Sequence, residues 1–329
     1  MIRELVTGAV AGVGMGVVLQ RGQLCFHSAI ADGWDGRWLL VRAWALGVAI
    51  GAVGLSVLYL LPGTSGLNRG LPFTPVSNVL GGLLIGVGMA VARSCVSGLF
   101  TKLGEGMLGC AVGLFGWGVG ELVARHVSVP GPTVLEGGAA GTIPTVLGLP
   151  RLPAALLVVA VVGAWLWRRP GLDRAEHRGQ WSSLRTGVAL GIVLVAGWAL
   201  AAVGGAGFGP SSVGAVASTA DGMPNWWLVA FLLGLAGGGA LSARGGGGGI
   251  TVRGEHPVRY VQLGTGGVLL GAGGWIAGGC NLGHGLSGMA QLNVSSVVVV
   301  ATMALGVRLT RVVTTRRTSP RPPRSGARP

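Results

Sequence analysis

Three of the four cysteines stand in similar polar settings, where a thiol can meet a substrate. Their segments read Arg21-Gly-Gln-Leu-Cys25-Phe-His-Ser28, Arg93-Ser-Cys95-Val-Ser-Gly98 and Gly278-Gly-Cys280-Asn-Leu-Gly-His284-Gly-Leu-Ser287-Gly288. A disulfide exchanger usually carries a CxxC pair and a zinc site has regular His and Cys spacing, and the sequence has neither pattern. Neutral thiols are weak hydrogen-bond donors, so the pattern favours a path for a soft sulfur-bearing anion that must be released again.

Other polar residues lie close to these thiols. Arg21 and Arg93 would make the path electropositive, although each also fits a simple role in membrane topology. Asn281 and His284 are candidate path residues beside Cys280. His27 and His284 are either additional donors or partners of backbone carbonyls within the fold. The fourth cysteine, Cys110, lies within an apolar helix and is assigned to packing.

The chain contains an internal repeat that includes two of the thiols. Residues 82–98 match residues 267–283 at a constant offset of 185. The matched residues are Gly82 and Gly267, Leu84 and Leu269, Gly86 and Gly271, Gly88 and Gly273, Ala92 and Ala277, Cys95 and Cys280, and Gly98 and Gly283. A thiol at the same place in two halves of one chain indicates a site on a pseudo-symmetry axis, which is typical of transporters.

Composition places the chain among membrane proteins. Of 329 residues, 50% are hydrophobic and only 10% are charged, whereas a soluble domain carries about 25% charged residues. The 65 glycines suit helices that pack closely in a membrane. The net charge of +14 comes from arginines at the ends of apolar segments and in the C-terminal tail, a distribution typical of membrane topology and not of nucleic-acid binding.

We therefore predict an all-α polytopic membrane protein with an inverted-topology repeat and about nine membrane helices. The predicted helices lie near 5–20, 38–61, 76–92, 104–124, 151–168, 184–204, 226–243, 259–277 and 294–312. The predicted parts are a first repeat (1–125), a linker with a central helix (126–179), a second repeat (180–312) and a disordered basic cytoplasmic tail (313–329). Because a single membrane helix connects two four-helix units, the second unit has the opposite orientation in the membrane to the first.

The sequence also predicts which loops re-enter the membrane and on which side each end of the chain lies. The four loops expected to fold back towards the membrane centre are 20–37, 93–104, 204–225 and 278–293. The arginine-rich segments 168–185 and 308–329 predict a cytoplasmic C-terminus and an external N-terminus.

At these residues the sequence resembles the YeeE/YedE family of sulfur transport proteins. The resemblance covers residues 5 to about 312 and is carried by the three cysteine segments, by 93–106 and by Gly207-Phe-Gly-Pro-Ser-Ser212, a counterpart of the Cys25 loop without its thiol. It implies an hourglass fold in which thiosulfate passes Cys25, Cys95 and Cys280 through transient S–H···S hydrogen bonds. It also implies a small TusA-like sulfur-carrier partner at the cytoplasmic face. The glycine run Gly245–Gly249 and the basic tail depart from the family pattern.

The function that we predict is import of thiosulfate or a related inorganic sulfur anion across the inner membrane, without enzymatic activity or a cofactor. No P-loop pattern is present, so ATP hydrolysis by this chain is not expected. Two alternatives remain open at this point: transport of another soft species, such as a selenium compound or hydrosulfide, and a membrane thiol oxidoreductase that handles persulfide or disulfide.

Overall fold

A computed structural model describes residues 1–64, 66–168, 179–245, 252 and 254–318. Within these residues the secondary structure is helical, which confirms the predicted all-α class. The helices are α1 (Ile2–Arg21), α2 (Phe26–Trp34), α3 (Leu39–Leu58), α4 (Pro75–Ala92), α5 (Val96–Gly104), α6 (Gly109–Ala124), α7 (Ile143–Val146), α8 (Arg151–Arg168), α9 (Ser183–Gly204), α10 (Ala215–Ala220), α11 (Trp226–Gly245), α12 (Pro257–Ala277) and α13 (Val294–Thr318). A 3₁₀ turn at Gly138–Gly141 and a π-helical turn at Gly283–Gly288 complete the set.

Seven helices in the described part of the chain are long and apolar enough to cross a membrane. They are Ile2–Trp34 (α1 continued by α2), α3, Pro75–Gly104 (α4 continued by α5), α8, α9, α11 and the part Val294–Thr314 of α13. Helix α6 is apolar but has only 16 residues, and α12 has 21 residues but is not among the seven. The chain is thus an α-helical polytopic membrane protein, and the predicted number of nine spans is not confirmed.

Helices that correspond between the two predicted repeats run antiparallel to each other. Helices α1 and α9 are such a pair: Thr7 lies beside Gly204, and Gly22 at the other end of α1 lies beside Thr186. The packing also repeats between the halves, because α1 packs on α11 as α9 packs on α3, and α6 packs on α12 as α13 packs on α4. Two units of opposite orientation would produce this arrangement.

The glycines of the sequence repeat allow the central helices to approach closely. A Cβ built on Gly86 of α4 would overlap the carbonyl oxygen of Met303, and one on Gly271 of α12 would overlap that of Trp117. Gly88 and Gly273 lie where α4 and α12 face each other. Small residues are needed at such positions because any side chain would push the two backbones apart.

Two regions differ from the sequence prediction. The disordered tail was expected to begin at residue 313, but α13 continues to Thr318, because the chain from 313 to 318 holds no glycine or proline to end the helix. The remaining tail (319–329), most of the basic loop (169–178) and Gly246–Gly249 lie outside the described residues. The first residues of predicted helix 104–124 instead belong to α5 and a turn, and α6 begins at Gly109.

We predict that Gly271→Ala destabilises the protein. The added methyl group would meet a backbone carbonyl, which cannot rotate away, so we expect a loss of about 1–3 kcal/mol in unfolding free energy. The measurement is the thermal unfolding midpoint of the purified protein in detergent.

Gly163→Ala is the matched control, because a Cβ at Gly163 of α8 meets no atom within 4 Å. Equal unfolding midpoints for both variants would contradict the close packing of α12 on α6.

Candidate functional site

Two of the candidate thiols begin short helices. Cys25 is the N-terminal cap of α2 and Cys95 is the cap of α5, and both caps have extended backbone. Each short helix has nine residues and lies next to the end of a long helix. The N-terminus of a helix presents free N–H groups and a partial positive charge, which stabilise a nearby anion.

The structure brings Cys25 and Cys95 together although 70 residues separate them in the sequence. Their Sγ atoms are 3.5 Å apart, both side chains are buried, and both thiols are free. The N–H of Phe26 donates to Cys95 Sγ at 3.4 Å. No CxxC pattern in the sequence indicates this pair, which forms because the two loops fold onto each other.

The loops after α4 and α12 also meet at the centre of the molecule. Gly81 lies beside Ala277, and Gly266 lies beside Ala92, so these antiparallel helices end about 16 Å apart along their axes. Nevertheless the Asn281 Nδ2 donates to Ser97 Oγ at 2.9 Å. Both loops must therefore turn back from opposite directions, as the sequence predicts for 93–104 and 278–293.

A line of buried polar contacts connects the loops. Ser97 Oγ lies 3.3 Å from Cys95 Sγ and accepts from Asn281, the neighbour of Cys280 in sequence. Asn281 is 2% exposed, and its Oδ1 has no hydrogen-bond partner among the described residues. At the far end Cys280 Sγ accepts from Ser212 Oγ at 2.8 Å.

The Cys25 end of this line opens into a polar cavity of about 220 Å³. Its lining includes Cys25, Ser28 and Lys102, the only lysine of the chain. Lys102 Nζ lies 3.5 Å from Ser94 Oγ and forms no ion pair within the described residues. A cation beside a buried thiol attracts an anion to that thiol.

The arginine candidates do not line this cavity. Arg93 is exposed at the end of α4, with a left-handed backbone (φ 46°), and faces a second cavity of about 390 Å³ together with His27 and Arg311. The Arg21 guanidinium lies beside Gly245. Neither arginine is thus among the residues that line the Cys25 cavity, and their role in an electropositive path stays a prediction.

His284 is fully used within the fold. Its Nε2 lies 2.9 Å from the carbonyl oxygen of Ala277, and its Nδ1 lies 2.9 Å from Ser296 Oγ. Because a carbonyl only accepts, Nε2 carries the proton in the neutral ring. Of the two roles left open by the sequence, the geometry favours a structural one: His284 ties the Cys280 loop to α12 and α13.

The chain belongs to the sulphur transport family, whose model matches residues 21–309. A thiosulfate transporter TsuA of Spirochaeta thermophila is 29% identical over 323 residues, covering 91% of this chain and 96% of that protein. The thiosulfate transporter TsuA of Escherichia coli K12 is 27% identical over 338 residues, covering 93% and 94%. A probable transporter YedE of the same organism is 34% identical over 98 residues, covering 30% of this chain and 23% of that protein. The YeeE/YedE resemblance is confirmed.

We predict that a mild oxidant links Cys25 to Cys95. Their sulfur atoms are 3.5 Å apart, so a movement of about 1.5 Å reaches the S–S bond length. The measurement is mass spectrometry of peptides from purified protein, before and after reduction. Cys25→Ser should abolish the linked peptide, and a link that instead involves Cys110 or Cys280 would contradict the geometry.

Proposed function

We propose that this protein imports thiosulfate or a related inorganic sulfur anion through a central path lined by Cys25, Cys95 and Cys280. The observation that carries the proposal is the line of buried polar contacts from Asn281, the chain neighbour of Cys280, through Ser97 to the two adjoining thiols. The relatives named thiosulfate transporters, which align with more than nine-tenths of the chain, support the substrate.

Weak donors suit this task. An anion bound by arginine would gain charge-assisted hydrogen bonds and leave slowly. Thiols are weaker donors, and successive weak sites allow an ion to enter and leave. The N-termini of α2 and α5 lower the cost of bringing an anion into a buried site. Lys102 would draw the anion from the Cys25–Cys95 pair into the adjoining cavity.

We also propose that the path lies between two inverted repeats, 1–125 and 180–312, joined by a linker that contains α8. The inner membrane is the proposed location, with the N-terminus outside and the basic C-terminus in the cytoplasm. The cavity beside Cys25 would then open to the cytoplasm, where a TusA-like carrier would receive the imported sulfur.

The transport test is uptake of labelled thiosulfate by proteoliposomes. We expect Cys25→Ala, Cys95→Ala and Cys280→Ala each to reduce uptake to about a tenth or less, because a buried donor to the anion is lost. Cys110→Ala is the matched control, since Cys110 is a buried thiol of α6 that takes no part in the hydrogen bonds of the polar line, and should transport normally. Full uptake by the Cys95→Ala variant would contradict the path.

A thiol oxidoreductase is the second candidate, and the Cys25–Cys95 contact is the observation that favours it. Serine substitution separates the two functions within the same uptake series. A serine hydroxyl still donates a hydrogen bond, so a donor path retains part of its uptake, whereas a disulfide-forming mechanism loses all activity. Complete loss with serine at both positions, together with a disulfide that appears during turnover, would favour the oxidoreductase.

The proposed orientation predicts opposite locations for the two ends of the chain. Reporter fusions after residue 3 and after residue 315 should be active on the outer and the cytoplasmic side, respectively, because the arginine-rich segments are retained inside. Both ends on the same side would mean an even number of spans and would contradict the inverted repeat.

A further inference from the structure

The polar partner of Cys280 is a hydroxyl group from the other polar loop of the second half. Ser212 Oγ donates to Cys280 Sγ at 2.8 Å, and the N–H of Leu282 donates to the same sulfur at 3.3 Å. Ser212 is fully buried and Cys280 is 1% exposed. The sulfur thus accepts two hydrogen bonds, and its own S–H proton remains available for a substrate.

The Ser212–Cys280 contact corresponds to the Cys25–Cys95 contact. Cys95 and Cys280 are matched residues of the sequence repeat. Each receives a side chain from the loop that follows the first long helix of its half, Cys25 after α1 and Ser212 after α9. The molecule therefore holds two donor pairs: one with two thiols and one with a hydroxyl and a thiol.

The Ser212–Cys280 pair offers one hydroxyl donor and one thiol donor, and therefore suits an anion that has both oxygen and sulfur acceptor atoms. Thiosulfate has a soft terminal sulfur and hard sulfonate oxygens. A hydroxyl is the stronger donor and forms short hydrogen bonds with oxygen, whereas a thiol is a weak donor suited to sulfur. We propose that Ser212 is a specificity-determining residue, whose hydroxyl turns from Cys280 to a sulfonate oxygen while Cys280 donates to the terminal sulfur; this inference rests on the proposed function.

A buried carboxylate holds Ser212 in place. Glu121 of α6 is fully buried, and its Oε1 accepts from the N–H groups of Gly214 at 2.9 Å and Ala217 at 3.1 Å. On the other side of Ser212, the carbonyl oxygen of Pro210 accepts from Ser287 Oγ at 2.7 Å. The loop is thus fixed before and after Ser212, and Glu121 acts as a positioning residue.

The test measures labelled thiosulfate uptake in proteoliposomes, with hydrosulfide and sulfite as competitors. Ser212→Ala should raise the apparent KM for thiosulfate about tenfold, because a buried donor to a charged group is lost. It should leave inhibition by hydrosulfide unchanged, since that ion has no oxygen. Ser212→Cys should retain uptake but make hydrosulfide a stronger competitor relative to thiosulfate. Ser218→Ala, in the same segment but bonded to the Ala215 carbonyl, is the matched control and should keep the wild-type KM.

A second measurement checks the geometry without transport. In Ser212→Cys a mild oxidant should link residue 212 to Cys280, and reduction should reverse the link.

The role of Glu121 is tested in the uptake assay. Glu121→Gln retains an acceptor oxygen and should keep the wild-type selectivity, whereas Glu121→Ala should shift selectivity as Ser212→Ala does. Loss of selectivity in Glu121→Gln would contradict the positioning role.

The outcomes separate this inference from the proposed function. Wild-type KM and selectivity in Ser212→Ala, alongside inactive Cys280→Ala, would overturn the role of Ser212 and leave the thiol path intact. Absence of thiosulfate uptake by the wild-type protein would overturn the proposed function itself.

Discussion

The close contact between α4 and α12 is the constraint on which the central site depends. These antiparallel helices touch through glycine, and their ends lie about 16 Å apart along the axes. Each is followed by a loop with a cysteine, and the loops can meet only by turning back into the protein. Polar backbone at such depth must find partners within the protein, because lipid supplies none. His284 Nε2 fulfils this requirement for the carbonyl oxygen of Ala277, and the hydrogen bonds from Asn281 to Ser97 and from His284 to Ser296 pair the polar side chains that are buried with the loops.

Much of the fold could be predicted from the sequence, because apolar runs of membrane length are a strong signal. The sequence predicts a helix from 104, whereas α6 begins at Gly109, because α5 ends at Gly104 and only the short turn Glu105–Leu108 separates the two helices. The repeat at an offset of 185 also predicted which two cysteines correspond, and the structure gives them similar surroundings.

The partners of the thiols could not be predicted in the same way. Cys25 reaches Cys95 across 70 residues, and no local pattern encodes that contact. The charged residues that line each cavity were also not predictable from sequence distance: Arg93, two residues from Cys95, lines the second cavity, whereas Lys102, seven residues beyond Cys95, lines the cavity of Cys25. The segment 207–212 was recognisable as a counterpart of the Cys25 loop, but only the folded chain places its serine against Cys280.

The central claim is that the anion passes the thiols intact, without forming or breaking an S–S bond. Its most direct test uses thiosulfate that carries different sulfur isotopes in its terminal and sulfonate positions, supplied to proteoliposomes that contain the wild-type protein. If the thiols act as hydrogen-bond donors, both isotopes appear in the lumen in equal amounts and within the same thiosulfate molecules. Terminal sulfur retained on the protein, or delivered without its sulfonate partner, would contradict the account and identify sulfur transfer chemistry instead.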